Sequence, residues 1–275
     1  NTSLVSLQKT WFVFTHLGQW KGETAGGCQN NEGSFMKNPQ ILLQHKTRGT
    51  VMIALQQKDA RMTSHLGDTN APIGIVILKV EENRKHKMIN PIQAEIEPSK
   101  YINSREVVVK SNLDKGTYII IPTTFSPNTE TEFLLRVFSN RPQSCFKVLK
   151  PKKRKSGLLG CCLGSSRAVI RITTISASNL SKDPKVDPYC SIKCERTKLH
   201  GHTVKDNLNP SWNQSFVFYP RSPKSAKIKI MVWDRNLLRD NFLGQAEIDV
   251  EEYLTSEKMS HTWKISKVLT TTYIK

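Results

Sequence analysis

The chain has 275 residues, of which 37% are hydrophobic, and its formal net charge at pH 7 is +18. This composition excludes a disordered chain, and no apolar run approaches the roughly 20 residues that cross a bilayer. The length predicts two domains of ordinary size, and the excess of positive charge predicts an anionic partner, either an acidic membrane or a nucleic acid.

Residues 11–149 show the pattern of an antiparallel β-sandwich. Short runs rich in β-branched and aromatic residues alternate there with turn-like segments, and no helix of ordinary length is evident. Residues 1–10 lack this pattern, and we expect them to be the tail of a preceding domain. The predicted strands are 11–14, 40–44, 51–55, 73–80, 106–109, 118–121, 133–138 and 146–149.

Four motifs stand out in this region. They are WKGETAGGCQN at 20–30, NPQ at 38–40, PTTFSPN at 122–128 and FLLRVFS at 133–139. Together they resemble the third domain of calpains, which are intracellular calcium-regulated cysteine proteases. The resemblance implies that the catalytic Cys, His and Asn belong to a papain-like core that is absent from this chain. Cys28 has no recognisable His partner, so we predict a buried structural thiol, and the Gly26-Gly27 pair predicts a turn that needs positive φ.

The loop after the fourth predicted strand departs from the family pattern. Calpain third domains often carry an acidic loop near this point, whereas here Glu81 and Glu82 are followed by the bases Arg84, Lys85 and Lys87. This departure favours a solvated loop of mixed charge over a calcium-sensing acidic loop.

Residues 150–167 have the composition of a basic linker, with six basic and no acidic residues. Three interpretations are open: a solvated tether, a nuclear import signal and a membrane contact. In the last, the basic run meets an anionic leaflet and an adjacent pair of cysteines is acylated, which supplies the two signals that stable anchoring requires. The residues concerned are Lys152, Lys153, Arg154, Lys155, Cys161 and Cys162.

Residues 168–275 carry a second set of strand-like runs. The predicted strands are 169–177, 189–194, 202–205, 212–219, 228–234, 243–249, 262–265 and 271–274. Two acidic segments follow strands, DPKVDPY at 183–189 and VWDRNLLRDNFLG at 232–244, and between them lie NPSWN at 209–213 and FVF at 216–218. These segments, in this order, resemble the calcium-binding loops, the intervening turn and a strand of a C2 domain.

The number of oxygen ligands decides whether such a domain holds calcium. Ca²⁺ takes six to eight oxygens, which loops converging at one end of a sandwich can supply. The ligand positions implied by the resemblance are Asp183, Asp187, Asp234, Asn236, and then Asp240 or Asn241. Because the first loop is two residues short and Asn236 is neutral, we expect weak calcium binding or none. The structural alternative for Asp187 is that its side chain caps its own turn.

Lysines of the second domain form another candidate site. Lys227 and Lys229 share a strand face, and a basic sheet face can bind acidic head groups without a metal ion. A solvated charged face is the alternative. Besides Lys152, Lys153, Arg154 and Lys155 of the basic segment, the candidate lipid-binding residues are Lys193, Lys198, Lys205, Lys227 and Lys229.

The two resemblances, with no helix-loop-helix calcium motif, indicate the atypical, calpain-5-like branch of the calpain family. They imply an all-β chain in which two antiparallel sandwiches, a domain III and a C2 domain, lie in tandem. We expect a non-catalytic region that positions the papain-like protease core of the parent chain and binds acidic phospholipid with weak or no calcium dependence.

The cysteine spacing fits neither a disulfide framework nor a zinc site, which indicates a reducing compartment. We expect a cytoplasmic chain with reversible membrane association, and a nuclear location stays open. The basic segment lacks interleaved aromatics for base stacking, so no nucleic-acid partner is expected. A basic nucleic-acid-binding module or a purely protein-interaction module is the alternative.

Overall fold

The computed structural model describes residues 11–59, 69–89, 98–151, 169–181, 185–222, 225–253, 259–265 and 268–274. The chain divides into two compact units, Asn1–Lys152 and Lys153–Lys275, and the division falls inside the basic segment 150–167. Each unit contains two antiparallel sheets of four strands. The predicted all-β class with two antiparallel sandwiches is therefore confirmed.

One sheet of the first unit has the strand order β1-β7-β3-β5 and the other has the order β4-β6-β2-β8. The core lies between them, where Ile53, Ile77 and Phe133 are each at most 2% exposed. The strands are β1 (Phe12–Trp20), β2 (Ile41–His45), β3 (Gly49–Gln57), β4 (Ile73–Val80), β5 (Glu106–Leu113), β6 (Gly116–Thr124), β7 (Thr131–Ser139) and β8 (Gln143–Val148).

Strand β4 is buried on both faces, which explains why its sequence is continuously apolar instead of alternating. Its outer face packs in a second apolar cluster with the short helix α1 (Glu32–Phe35) and with Met88. The side chain of Gln40 holds Met88 in this cluster with two hydrogen bonds. Its Oε1 accepts from the Met88 backbone N–H at 2.8 Å, and its Nε2 donates to the Met88 carbonyl at 3.0 Å.

The prediction of a solvated loop at residues 80–87 was wrong for two of its charged residues. Arg84 donates two hydrogen bonds to Glu81 Oε2, at 2.8 and 2.6 Å, and the two side chains are 5% and 0% exposed. The loop packs over the outer face of the second sheet, and the two charges neutralise each other there. The mixed charges of the loop could not predict this burial, because the local sequence does not show which surface the loop covers.

The Gly26-Gly27 turn is tight for two different reasons. Gly27 has φ of 73°, in the left-handed region that the sequence predicted. Gly26 has no positive φ, but a Cβ there would lie 2.2 Å from the carbonyl oxygen of Ser34. The neighbouring Cys28 is 4% exposed, and Asn31 Nδ2 lies 3.5 Å from its Sγ.

The second unit has the sheet orders β11-β10-β13-β14 and β12-β9-β16-β15. Its core includes Ile192, Ile230 and Phe218, and Trp212 seals one end with its indole N–H directed to the carbonyl of Pro188 at 3.4 Å. The strands are β9 (Ile170–Ser178), β10 (Pro188–Cys194), β11 (Thr197–His200), β12 (Ser211–Phe218), β13 (Lys227–Asp234), β14 (Asn241–Asp249), β15 (Met259–Ile265) and β16 (Val268–Ile274).

The predicted strand at 202–205 was wrong, because the strand in this region is β11. A two-residue turn with Glu195 at φ of 49° returns the chain early, so that β11 pairs with β10. The segment after β11 then follows β10 irregularly: the backbone N–H of Gly201 donates a hydrogen bond to the Cys190 carbonyl, and that of Val204 donates to the Pro188 carbonyl. Among the described residues, no helix is both long and apolar enough to cross a membrane.

Candidate functional site

The sheet register of the second unit brings the two predicted acidic loops together. Pro188, which follows Asp187, lies opposite Asp234, and Asp234 lies opposite Asn241 on the next strand. The backbone N–H of Asp187 donates to Asp234 Oδ1 at 2.8 Å. The loops before β10 and after β13 therefore share one end of the sheet. Asp183 lies outside the described residues.

The carboxylates at this end already accept hydrogen bonds from the protein. Asp187 Oδ1 accepts from the backbone N–H of Asp206 at 2.9 Å. Asp234 is 7% exposed, and its Oδ2 accepts from Asn236 Nδ2 at 3.0 Å. Asp240 accepts from the Asn236 backbone N–H at 3.1 Å through Oδ1. It also accepts from the Tyr189 hydroxyl at 2.7 Å through Oδ2.

These contacts shift the pKa values of the Tyr189–Asp240 pair in opposite directions. The hydrogen bond from Tyr189, followed by that from the Asn236 backbone, lowers the pKa of Asp240 below its ordinary value. Burial, followed by the bond to Asp240, raises the pKa of Tyr189 to about 12. The pair is thus an ionised carboxylate held by a neutral phenol at neutral pH.

The described residues do not fit a preformed calcium site. They contain no group of three or more His, Cys, Asp or Glu side chains placed to hold a metal ion. Asn236, expected to offer a carbonyl oxygen, instead directs its N–H₂ group at Asp234. Asn241 is exposed at the start of β14. A cation with six to eight oxygen ligands would have to displace several of these donors.

Between Asn236 and Asp240 the loop presents two leucines to solvent. Leu237 and Leu238 are 103% and 99% exposed, and we call this pair the loop tip. Arg235 and Arg239, also exposed, flank the loop tip. The sequence argument missed the tip, although two adjacent leucines between arginines in a polar loop were a readable signal, because it attended only to the oxygen ligands.

Three of the five predicted lipid-binding lysines lie side by side on the sheet. Lys198 of β11 is opposite Lys193 of β10, which is opposite Lys229 of β13, and we call these three the lysine row. In the part of the chain that the structure describes, no ion pair engages the lysine row. Lys227 differs, because its Nζ lies 3.1 Å from Glu247 and 3.5 Å from Asp249.

Lys205 lies away from the lysine row, in the loop after β11 and next to Asp206, whose amide binds Asp187. The other candidates of the basic segment fall outside the described residues: Lys152, Lys153, Arg154, Lys155, Cys161 and Cys162.

Aromatic side chains lie between the lysine row and the loop tip. Trp233 packs edge-on against Phe242 with ring centroids 5.2 Å apart, and Phe242 is 51% exposed. The ammonium group of Lys198 lies 5.4 Å from the Trp233 ring centroid, within the range of a cation–π contact. Amphipathic rings beside cations suit the boundary between a polar and an apolar phase.

Cationic side chains lie near His200 at this end of the unit. Partial burial, and then the charges of Lys198 and Arg235, lower the pKa of His200 below its ordinary value, against the opposing effect of Asp240. Arg235 also lies over the ring of Tyr189, 5.8 Å from its centroid. A basic rim of this kind favours an anionic surface.

Two family models match the chain. The model described as calpain large subunit, domain III, matches residues 16–138, and the C2 domain model matches residues 168–265. Neither of these regions is a protease core.

Several curated relatives match as well. Calpain-5 of Mus musculus is 35% identical over 257 residues, covering 90% of this chain and 40% of that protein. Calpain-5 of Caenorhabditis elegans is 30% identical over 261 residues, with the same coverage of 90% and 40%. Calpain-9 of Homo sapiens is 39% identical over 141 residues, covering 48% of this chain and 20% of that protein. The chain thus spans 40% of the length of the calpain-5 relatives.

Among solved structures, the two tandem C2 domains of Extended-Synaptotagmin 2, calcium bound, align at 14% identity. The alignment covers 84% of this chain and 96% of that chain, with a TM-score of 0.38.

Proposed function

The chain belongs to the calpain family, with a calpain domain III followed by a C2 domain, and from this we propose that it is a non-catalytic regulatory and membrane-targeting region. It binds acidic phospholipid with weak or no calcium dependence and positions the papain-like protease core of its parent chain. It is cytoplasmic and associates with membranes reversibly.

The exposed loop tip is the observation that supports this proposal most directly. Leu237 and Leu238 bury no surface within their own unit. Full burial of a leucine side chain in an apolar phase stabilises by about 1.5–3 kcal/mol. The flanking arginines would then lie at the level of the head groups, where each base near an anionic leaflet contributes about 1 kcal/mol.

The lysine row supplies the second contribution. Its three cations lie on the same face as Trp233 and Phe242, so a surface that receives the loop tip also approaches this face. The basic segment 150–167 would add further electrostatic attraction, and acylation of Cys161 and Cys162 stays a prediction.

Vesicle binding by the purified chain tests the proposal. We expect sedimentation with vesicles of phosphatidylcholine and phosphatidylserine, but not with phosphatidylcholine alone, and equal binding in EGTA and in calcium. Leu237→Ser/Leu238→Ser should weaken binding strongly. Leu17→Ser, at a leucine of the first unit that is 73% exposed, is the matched control and should bind like the wild type.

Two results would contradict the proposal. One is the absence of binding to serine-lipid vesicles, particularly if the chain bound duplex or single-stranded nucleic acid instead. The other is a double-serine variant that binds as tightly as the Leu17→Ser control.

A further inference from the structure

Three carboxylates at one end of a sheet repel each other, and hydrogen-bond donors or a bound cation can offset that repulsion. Asp187, Asp234 and Asp240 belong to loops that meet, and a calcium ion is one way to satisfy such a cluster. Here the donors are protein groups, four amide N–H donors and one phenolic hydroxyl.

Asn236 holds the central place among these donors. Its side-chain nitrogen donates to Asp234 at the end of β13, and its backbone nitrogen donates to Asp240 just before β14. Since an ionised carboxylate only accepts hydrogen bonds, the amide group that faces Asp234 must be N–H₂ and not the carbonyl. One residue therefore ties together the two sides of the loop base.

Tyr189 fastens the same base to a third strand. Its hydroxyl, on β10, donates to Asp240 Oδ2 at 2.7 Å, and its ring is 7% exposed. The segment that extends beyond these anchors consists of Leu237, Leu238 and Arg239. The residues on either side of the exposed segment, Asn236 and Asp240, are thus hydrogen-bonded to each other and to strands β13 and β10.

We propose that Asn236, supported by Tyr189, is a metal-free latch that holds the β13–β14 loop in the form that presents the loop tip. The amide takes the place of a bound cation, so the tip is presented constitutively and calcium has no regulatory role at this loop. This inference rests on the proposed function for its effect on membranes, but the latch itself is measurable without a membrane.

Hydrogen exchange of the free chain in EGTA is the first test. Asn236→Ala removes the side-chain donor without adding charge, and amides in residues 235–240 should exchange about tenfold faster or more, as expected for losing a hydrogen bond to a charged group. Tyr189→Phe should have the same direction of effect. Asn241→Asp adds a carboxylate at the same end of the sheet without removing a latch donor, and it should exchange like the wild type.

Asn236→Asp is the second test. It replaces the donor with a fourth carboxylate, so the loop should be as mobile as in Asn236→Ala in EGTA. Millimolar calcium should restore slow exchange in Asn236→Asp, while Asn236→Ala should stay fast and the wild type should not change. Circular dichroism and the thermal midpoint of each variant check that the sandwich is folded.

Vesicle binding by the same variants should change in parallel with the exchange rates of the loop. We expect wild-type binding that is insensitive to calcium, and weakened binding by Asn236→Asp that calcium recovers. The latch is refuted if Asn236→Ala exchanges like the wild type, or if calcium protects the wild-type loop severalfold. If the chain binds no vesicles, the proposed function fails, and the exchange measurements still decide on the latch.

Discussion

Removing the charges of the lysine row should weaken binding to an anionic membrane by more than two orders of magnitude. Each Lys near such a surface contributes about 1 kcal/mol, so Lys193→Gln/Lys198→Gln/Lys229→Gln should lose about 3 kcal/mol, a factor of about 150 in affinity. Because the three side chains are direct cross-strand neighbours, the single variants are measured as well, to show how far their contributions couple.

Lys227 provides a control on the same strand face. It lies two residues before Lys229, but its ammonium already pairs with Glu247 and Asp249, and these acids compete with a lipid phosphate for it. Lys227→Gln should therefore weaken binding less than Lys229→Gln, which alone should cost about fivefold. Titration with vesicles containing phosphatidylserine, in EGTA and 0.1 M salt, measures both.

Salt dependence distinguishes a local contact from a general charge effect. The Debye length is about 10 Å at 0.1 M and about 3 Å at 1 M, so the difference between the triple variant and the wild type should shrink with added salt. Equal losses for Lys227→Gln and Lys229→Gln would refute the lysine row as a contact and leave only the net charge of the unit.

Three further outcomes follow from single contacts. Burial, and then the cations Lys198 and Arg235, lower the pKa of His200, and an anionic surface should favour its proton, so vesicle affinity should rise from pH 7.5 to 5.5. This rise should vanish in His200→Ala but not in His202→Ala. Arg84→Ala removes both hydrogen bonds from the guanidinium to the buried Glu81 carboxylate and should cost about 3–5 kcal/mol in urea unfolding. Gly26→Ala should lower the thermal midpoint, since its Cβ meets a backbone oxygen, whereas Gly33→Ala, with open space around it, should not.

Most of the strands could be predicted from the local sequence pattern. The runs of β-branched residues located the eight strands of the first unit, because alternation and turn chemistry act over a few residues. Strand β11 was not predicted, because the turn before it has Glu195 at positive φ. Gly or Asn at that position would have indicated a hairpin in the sequence.

The candidate site depends on contacts that sequence spacing does not report. Lys227 and Lys229 look alike in the sequence, and the register of β13 against β14 places an acid opposite each of them, Asp249 and Glu247 respectively. Only the side-chain contacts show that both acids pair with Lys227. Asn236 likewise was read as a weak oxygen ligand, although its donor group faces Asp234. In both cases a side chain's role is set by its partner on another strand.

The hydrogen-bonded carboxylates lie at the same end of the second unit as the loop tip. Hydrogen bonds from neutral amide and phenol donors stabilise these carboxylates but leave them negative, so they still repel anionic head groups. Each carboxylate keeps its negative charge, and the cations Arg235, Arg239 and Lys198 must outweigh it at an anionic surface. The depressed pKa of His200 supports this view, because after burial its largest causes are Lys198 and Arg235, and Asp240 does not cancel them. Attraction by the basic rim acts at long range, and the loop tip acts only on contact, so the first should govern the association rate and the second the residence time.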